Sequence, residues 1–149
     1  MKYTLIPEEF FSEETARETL SNVVILEKDD LVRSLELPCC KAVLLYAAEE
    51  SDALLLSQMI SAAHKLNRFN KVVVHLGDSR VDIVVATGEK LLLCNSFPAS
   101  DGVTAQYFIF LAIRQFQINP ELTTVYFFGE ADESVKSDLF RHFASVEVI

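Results

Sequence analysis

Val72-Val73-Val74-His75-Leu76-Gly77-Asp78-Ser79-Arg80-Val81-Asp82-Ile83-Val84-Val85-Ala86-Thr87-Gly88-Glu89-Lys90-Leu91-Leu92-Leu93-Cys94 is the stretch on which the fold turns. It holds three aliphatic runs, Val72 to Leu76, Val81 to Ala86 and Leu91 to Cys94, joined by Gly77-Asp78-Ser79-Arg80 and Thr87-Gly88-Glu89-Lys90. Turns this short bring successive strands back antiparallel, so the stretch predicts a meander. Downstream, Asp101 suits the cap of a helix from about Val103 to Gln117. The middle of that helix, Tyr107 to Ile113, is apolar on every side and is therefore expected to be buried on more than one face. Asn119-Pro120 ends the connection, Thr123 to Phe128 reads as a strand closed by Gly129, and Asp132 or Ser134 caps a last helix with Val135, Leu139 and Phe143 inward. A terminal strand, Ser145 to Ile149, completes the order βββαβαβ.

Upstream of the meander, Tyr3 to Ile6 reads as a short strand ended by Pro7. The Glu8-Glu9 pair opens a helix through about Leu20, with Asn22 as its stop. Val23 to Leu26, Leu31 to Leu37 and Ala42 to Ala47 read as three strands. The last is apolar throughout, which predicts a central strand covered on both faces. Ser51 caps a helix whose stripe is Leu55, Met59, Ala62 and Leu66, widened by Leu56, Ile60 and Ala63. Together these elements predict an α/β fold, a mixed twisted sheet with helices on both faces, in one domain over residues 1–149 with a subdomain seam near 67–70.

Composition narrows the function classes. The 149 residues carry 13 Lys and Arg against 22 Asp and Glu, a net charge of −9, which repels a polyphosphate backbone and excludes nucleic acid as a partner. The longest apolar runs, Ala42 to Ala48 and Tyr107 to Ile113, fall far short of the ~20 residues a membrane helix needs. An N-terminus that turns acidic at Glu8-Glu9 lacks the apolar stretch of a signal peptide, and three cysteines draw no disulfide framework. A cytoplasmic location is expected. Half of the residues are hydrophobic and the mean hydropathy is positive, so apolar surface is expected to face a protein partner, most simply a second copy in a homodimer.

Motifs that carry chemistry are scarce. Four glycines are a poor supply for a phosphate-cradling loop, and Gly88-Glu89-Lys90 has neither the upstream glycine nor the following Ser or Thr of a phosphate loop. His64, His75 and His142 lie in different elements without ligand-spaced partners, so no metal is expected. His64 and His142 fit helix C-termini, and the Cys39-Cys40 neighbours read as inert thiols near a strand start. No Gly-x-Ser-x-Gly elbow is present, and the carboxylates gather at helix starts and turns.

Three stretches carry a family resemblance: Tyr3-Thr4-Leu5-Ile6-Pro7-Glu8-Glu9-Phe10-Phe11, Lys90-Leu91-Leu92-Leu93-Cys94-Asn95-Ser96-Phe97 and Val125-Tyr126-Phe127-Phe128-Gly129-Glu130. With the aromatic helix around Tyr107 and Phe108, the chain resembles a bacterial family of unknown function, domain of unknown function 3822, which has the actin-like ATPase (ribonuclease H-like) fold. The resemblance covers nearly the whole chain and implies the C-terminal part of that fold, without the N-terminal part that holds the first phosphate-binding hairpin. It also implies where a nucleotide would lie. In active relatives the matching meander opens with an acidic residue and a glycine-rich turn, whereas this chain has His75, Gly77, Asp78 and Ser79 there. On the adenosine side paired glycines are reduced to Gly129. These five residues are the vestigial site, and the reading that follows is a non-catalytic interaction or scaffolding domain without cofactor. The alternative is a nucleotide-binding, ATPase-like protein whose site is completed by another domain or chain.

Overall fold

The computed structural model describes residues 1–149 and divides them into two compact units, Met1–Ser61 and Ala62–Ile149.

In the first unit, strand β1 (Lys2–Pro7) and strand β2 (Arg33–Leu37) both pair antiparallel with β3 (Ala42–Ala47), giving the order β1-β3-β2. β3 is the central strand that its uninterrupted apolar sequence demanded, with Val43, Leu44, Leu45 and Tyr46 all buried. The helix expected from Glu8 to Leu20 is broken. A 3-10 turn covers Glu8–Phe10, Phe11 is extended, and helix α1 occupies only Ala16–Ser21. Residues Val23 to Leu26 form no strand. The N–H groups of Val23 and Val24 both donate to the Leu20 carbonyl at 3.1 Å, so these residues finish the helix instead of extending, and Ile25 is 88% exposed. The loop after them is tied down by charge: Lys2 Nζ reaches Asp30 at 2.6 Å, and the Arg17 guanidinium donates to the carbonyls of Glu27 and Asp30. Helix α2 (Glu50–Lys65) follows, with Glu50 and Asp52 in its first turn and His64 and Lys65 in its last, the distribution the helix dipole favours. Its buried seam is Ala53, Leu56, Met59, Ile60 and Ala63, which takes in Met59 of the expected stripe and the three residues expected to widen it, while Leu55, Ala62 and Leu66 are only partly buried.

The second unit is built on the meander. Strands β4 (Asn70–Leu76), β5 (Arg80–Thr87) and β6 (Lys90–Pro98) pair antiparallel in sequence, and β7 (Thr124–Phe127) and β8 (Ser145–Val148) add in parallel beside β4. The sheet order is β6-β5-β4-β7-β8. Gly88, at φ +61°, makes the left-handed corner of the second hairpin, whose tightness a side chain would strain. One face of the sheet, with Val72, Val74, Ile83, Val85, Val125 and Phe127, forms a core with helices α3 (Gly102–Gln115) and α4 (Glu133–Phe140). Val73, Asp82, Val84 and Tyr126 alternate onto the other face and are buried as well. Asp101 Oδ1 caps α3 by accepting from the Thr104 N–H at 2.7 Å, and Asp132 Oδ1 caps α4 by accepting from Ser134 and Val135.

Helix α3 departs from expectation. Ala105, Ile109, Ala112 and Ile113 are buried, but Val103, Tyr107 and Leu111 are 78%, 61% and 42% exposed. The apolar residues run right round the helix; the protein covers one side of it.

Candidate functional site

The residues of interest converge at the end of the meander where β4 turns into β5. The register places His75 opposite Asp82 and Asp82 opposite Ser96, so three polar side chains from three strands meet on one face of the sheet. Asp82 has no exposed surface. His75 Nδ1 lies 3.0 Å from its Oδ2, Arg80 Nε lies 3.0 and 3.2 Å from its two oxygens, and the Ser96 hydroxyl donates to Oδ1. Burial pushes the Asp82 carboxyl up, but the hydrogen bonds of His75 and Ser96 and the charge of Arg80 outweigh it and hold the group below its ordinary value. An ionised carboxylate only accepts, so Nδ1 of His75 carries the proton and Nε2 is left as the outer nitrogen.

The two vestigial glycines flank that outer edge. A Cβ on Gly77 would stand 3.9 Å from His75 Cε1, and one on Gly129 would stand 4.0 Å from Cδ2. The fold thus brings His75, Gly77 and Gly129 together, although 52 positions of sequence separate the two glycines. Their backbone groups are engaged: the Gly77 N–H donates to the Arg80 carbonyl at 2.9 Å and the Gly129 N–H to the Ile149 carbonyl at 3.4 Å. Asp78 and Ser79 form the exposed tip of the turn, with the Ser79 carbonyl accepting from Ala99.

On the helical side of the same turn, Leu76, Gly77, Arg80, Asp101, Ala105 and Val135 border a cleft of about 200 Å³, below the ~300 Å³ at which small-molecule pockets begin. Its floor is tight: a Cβ on Gly102 would come within 2.7 Å of Val135 Cγ2, so that position admits only glycine without a shift. The N-termini of α3 and α4 both open here, and each already holds a carboxylate, Asp101 and Asp132. Their partial positive charge is met from within the chain.

Elsewhere, no group of three or more His, Cys, Asp or Glu side chains is clustered to hold a metal. Cys39, Cys40 and Cys94 are free, and burial together with the neighbouring Cys39 pushes the Cys40 thiol up to about 11, which keeps it protonated and unreactive at neutral pH. His142 lies edge-on to the Phe110 ring at 5.4 Å, a packing role.

A family model described as protein of unknown function (DUF3822) matches residues 51–146. The chain belongs to that family. The DUF3822 match takes in the whole second unit's meander, both of its helices and the Asp82 cluster. No curated protein matches the chain. Among solved structures it is similar to a Bacteroides thetaiotaomicron protein with actin-like ATPase fold and unknown function, with a TM-score of 0.80 at 19% identity over 99% of this chain and 65% of that one. It is also similar to a chain of the PilM–PilN type IV pilus biogenesis complex, with a TM-score of 0.53 at 14% identity and the same two coverages. The chain therefore has the actin-like ATPase fold and spans just under two thirds of the length of these two structures. No helix is long and apolar enough to cross a membrane.

The residues that sequence reasoning missed are Asp82, Arg80 and Ser96. A signal for the first was present: counting outward equally from the Gly77–Arg80 turn sets His75 against Asp82.

Proposed function

We propose that this chain is a non-catalytic protein-interaction or scaffolding domain that uses the actin-like fold without its nucleotide chemistry. The observation that carries this reading is the Asp82 cluster: the two basic side chains beside the turn, Arg80 and His75, are both directed at a buried carboxylate of the same chain. A phosphate at this turn would need those groups, or free backbone N–H groups, and would have to displace an ion pair to obtain them. The surrounding residues do not fit one either. The Gly77 and Gly129 N–H groups are bonded to backbone carbonyls, the turn tip presents the Asp78 carboxylate, and the two nearby helix N-termini are capped by Asp101 and Asp132. Support for protein binding comes from the PilM–PilN neighbour, a complex in which a protein of this fold is found with a partner.

Thermal melting with and without millimolar Mg-ATP tests the reading. Ligand at a hundred times its dissociation constant stabilises a protein by ~2.7 kcal/mol, several degrees for a chain of this size. The expected result is an unchanged melting temperature. A reproducible rise of several degrees would overturn the reading in favour of a nucleotide site completed by another domain or chain.

A further inference from the structure

We propose that the outer edge of β8 docks an extended acidic segment of a partner protein, which adds to the sheet as a further strand beside α4; this rests on the protein-interaction reading and names its surface and its partner's chemistry. The sheet has two edges, β6 and β8, and the chain treats them differently. Along an antiparallel pair, positions that bond the neighbour alternate with positions that face away from it. The Ala99 N–H donates to the Ser79 carbonyl, so Phe97 and Asn95 also face β5, while Ser96 and Pro98 turn their backbone outward. Neither outward position offers a donor: Asn95 Oδ1 accepts from the Ser96 N–H at 2.8 Å, and Pro98 has no N–H. On β8 the alternation leaves groups open. Ile149 donates to the Phe127 carbonyl and accepts from the Gly129 N–H, so Glu147 likewise faces β7, and Val146 and Val148 turn their N–H and C=O groups outward. Nothing in the chain bonds these four groups.

The register sets the Val146 and Val148 side chains on the face of Val125 and Phe127, the face that packs against α4. A groove of about 330 Å³ lies there, bordered by Lys136, Phe140, Arg141 and Val146, above the ~300 Å³ at which binding pockets begin. Phe140 is 63% exposed and Val148 51%. A strand that bonds Val146 and Val148 lays every second side chain over these apolar residues, the mode in which backbone bonds give affinity and alternate side chains give specificity. Charge selects which strand. Lys136 is held by Glu133 at 3.5 Å, but Arg141 has no ion pair, because Asp138, three residues before it, accepts instead from Gln106 at 3.2 Å. In a chain of net charge −9, this open cation at the groove asks for a carboxylate on the partner. A second copy fits poorly. The antiparallel register that uses both Val146 and Val148 sets Glu147 directly opposite the second copy's Glu147, like charge against like.

The test is fluorescence anisotropy of a labelled synthetic peptide, Ser-Asp-Thr-Val-Thr-Val-Thr-Asp-Ser, whose face of two valines between two aspartates reads alike in either strand direction. Saturable binding to the full chain is expected. Val148→Pro removes one outward N–H and leaves the bonds to β7 in place, as proline at an edge position does, and should weaken binding at least ~tenfold. Arg141→Glu, at an exposed position, should weaken it at least ~tenfold and should prefer the same peptide with lysines for aspartates. The peptide N-methylated at its central residues cannot bond the edge and should not bind. Should Val148→Pro unfold by circular dichroism, Arg141→Glu and the N-methylated peptide decide. No saturable binding below ~1 mM, equal binding of the N-methylated or lysine peptide to the wild type, or folded variants that bind like the wild type would each overturn the proposal. So would a wild-type dimer in light scattering that Val148→Pro makes monomeric, which assigns the edge to a second copy. Absent peptide binding with a melting temperature that ignores Mg-ATP removes the β8 surface alone; a nucleotide shift removes the reading beneath it.

Discussion

Asp82 is a full carboxylate placed in the middle of a β-branched strand, and its three neighbours are what make that tolerable. Removing the charge leaves Arg80 and the His75 Nδ1–H facing an amide, so Asp82→Asn is expected to cost about 3 to 5 kcal/mol in urea unfolding at pH 7, the range for breaking one side of a buried pair. The pH dependence has a definite sign. Because the folded carboxyl lies below its ordinary value, its contribution is full above the unfolded value of about 3.9 and is withdrawn as the pH falls through the lower folded one. The gap in stability between wild type and Asp82→Asn should therefore close on acidification, and a gap independent of pH from 7 down through that range would contradict the assignment. At this scale the sequence was partly legible. His75, Gly77 and Gly129 could be named because the meander and a strand end mark their positions, and the fold does gather them. The carboxylate that gives His75 its role was passed over, because periodicity assigns a residue to a strand without saying what stands across from it; that depends on register, and register on the turn.

Helix α3 separates what composition says about an element from what packing does with it. The run from Tyr107 to Ile113 is apolar all round, and from that alone burial on more than one face follows; in the fold the sheet and α4 bury the side with Ala105, Ile109, Ala112 and Ile113, and Phe108 and Phe110 pack against that core in part. Ile109→Ala should accordingly cost about 2 to 5 kcal/mol as a core truncation. Tyr107→Gln, at a position 61% exposed, should change stability by no more than ~0.5 kcal/mol. Equal losses for the two would mean that the exposed row is part of the core. The strand expected over Val23 to Leu26 fails for a related reason: four apolar residues satisfy a pattern, but a strand needs a neighbour, and here the backbone is taken by the end of α1. Elements with strong punctuation were read well. Asp101, Asp132 and the two meander turns are local signals whose physics does not wait on the tertiary fold.

At the scale of the molecule, the order βββαβαβ and the three soft sequence stretches sufficed to reach the actin-like fold, because a chain order constrains a sheet strongly even where few residues are diagnostic. One feature of that sheet also sets a timetable. β4 pairs with β5 across the Gly77–Ser79 turn, whereas its parallel pairing with β7 joins Val72 to Val125, closing some fifty residues of chain. By loop-closure entropy the second event is dearer by ~2.5 kcal/mol before any contact repays it. The meander should therefore be formed when the second unit crosses its folding barrier, and β7 and β8 should dock afterwards. Ile83→Val is then expected to slow refolding, and Val125→Ala chiefly to speed unfolding, in stopped-flow chevrons. The reverse partition would place the parallel strands first. Until the late strands arrive, β4 presents an open row of N–H and C=O groups, so a nascent chain paused before Thr124 exposes a strand edge that can recruit the wrong neighbour.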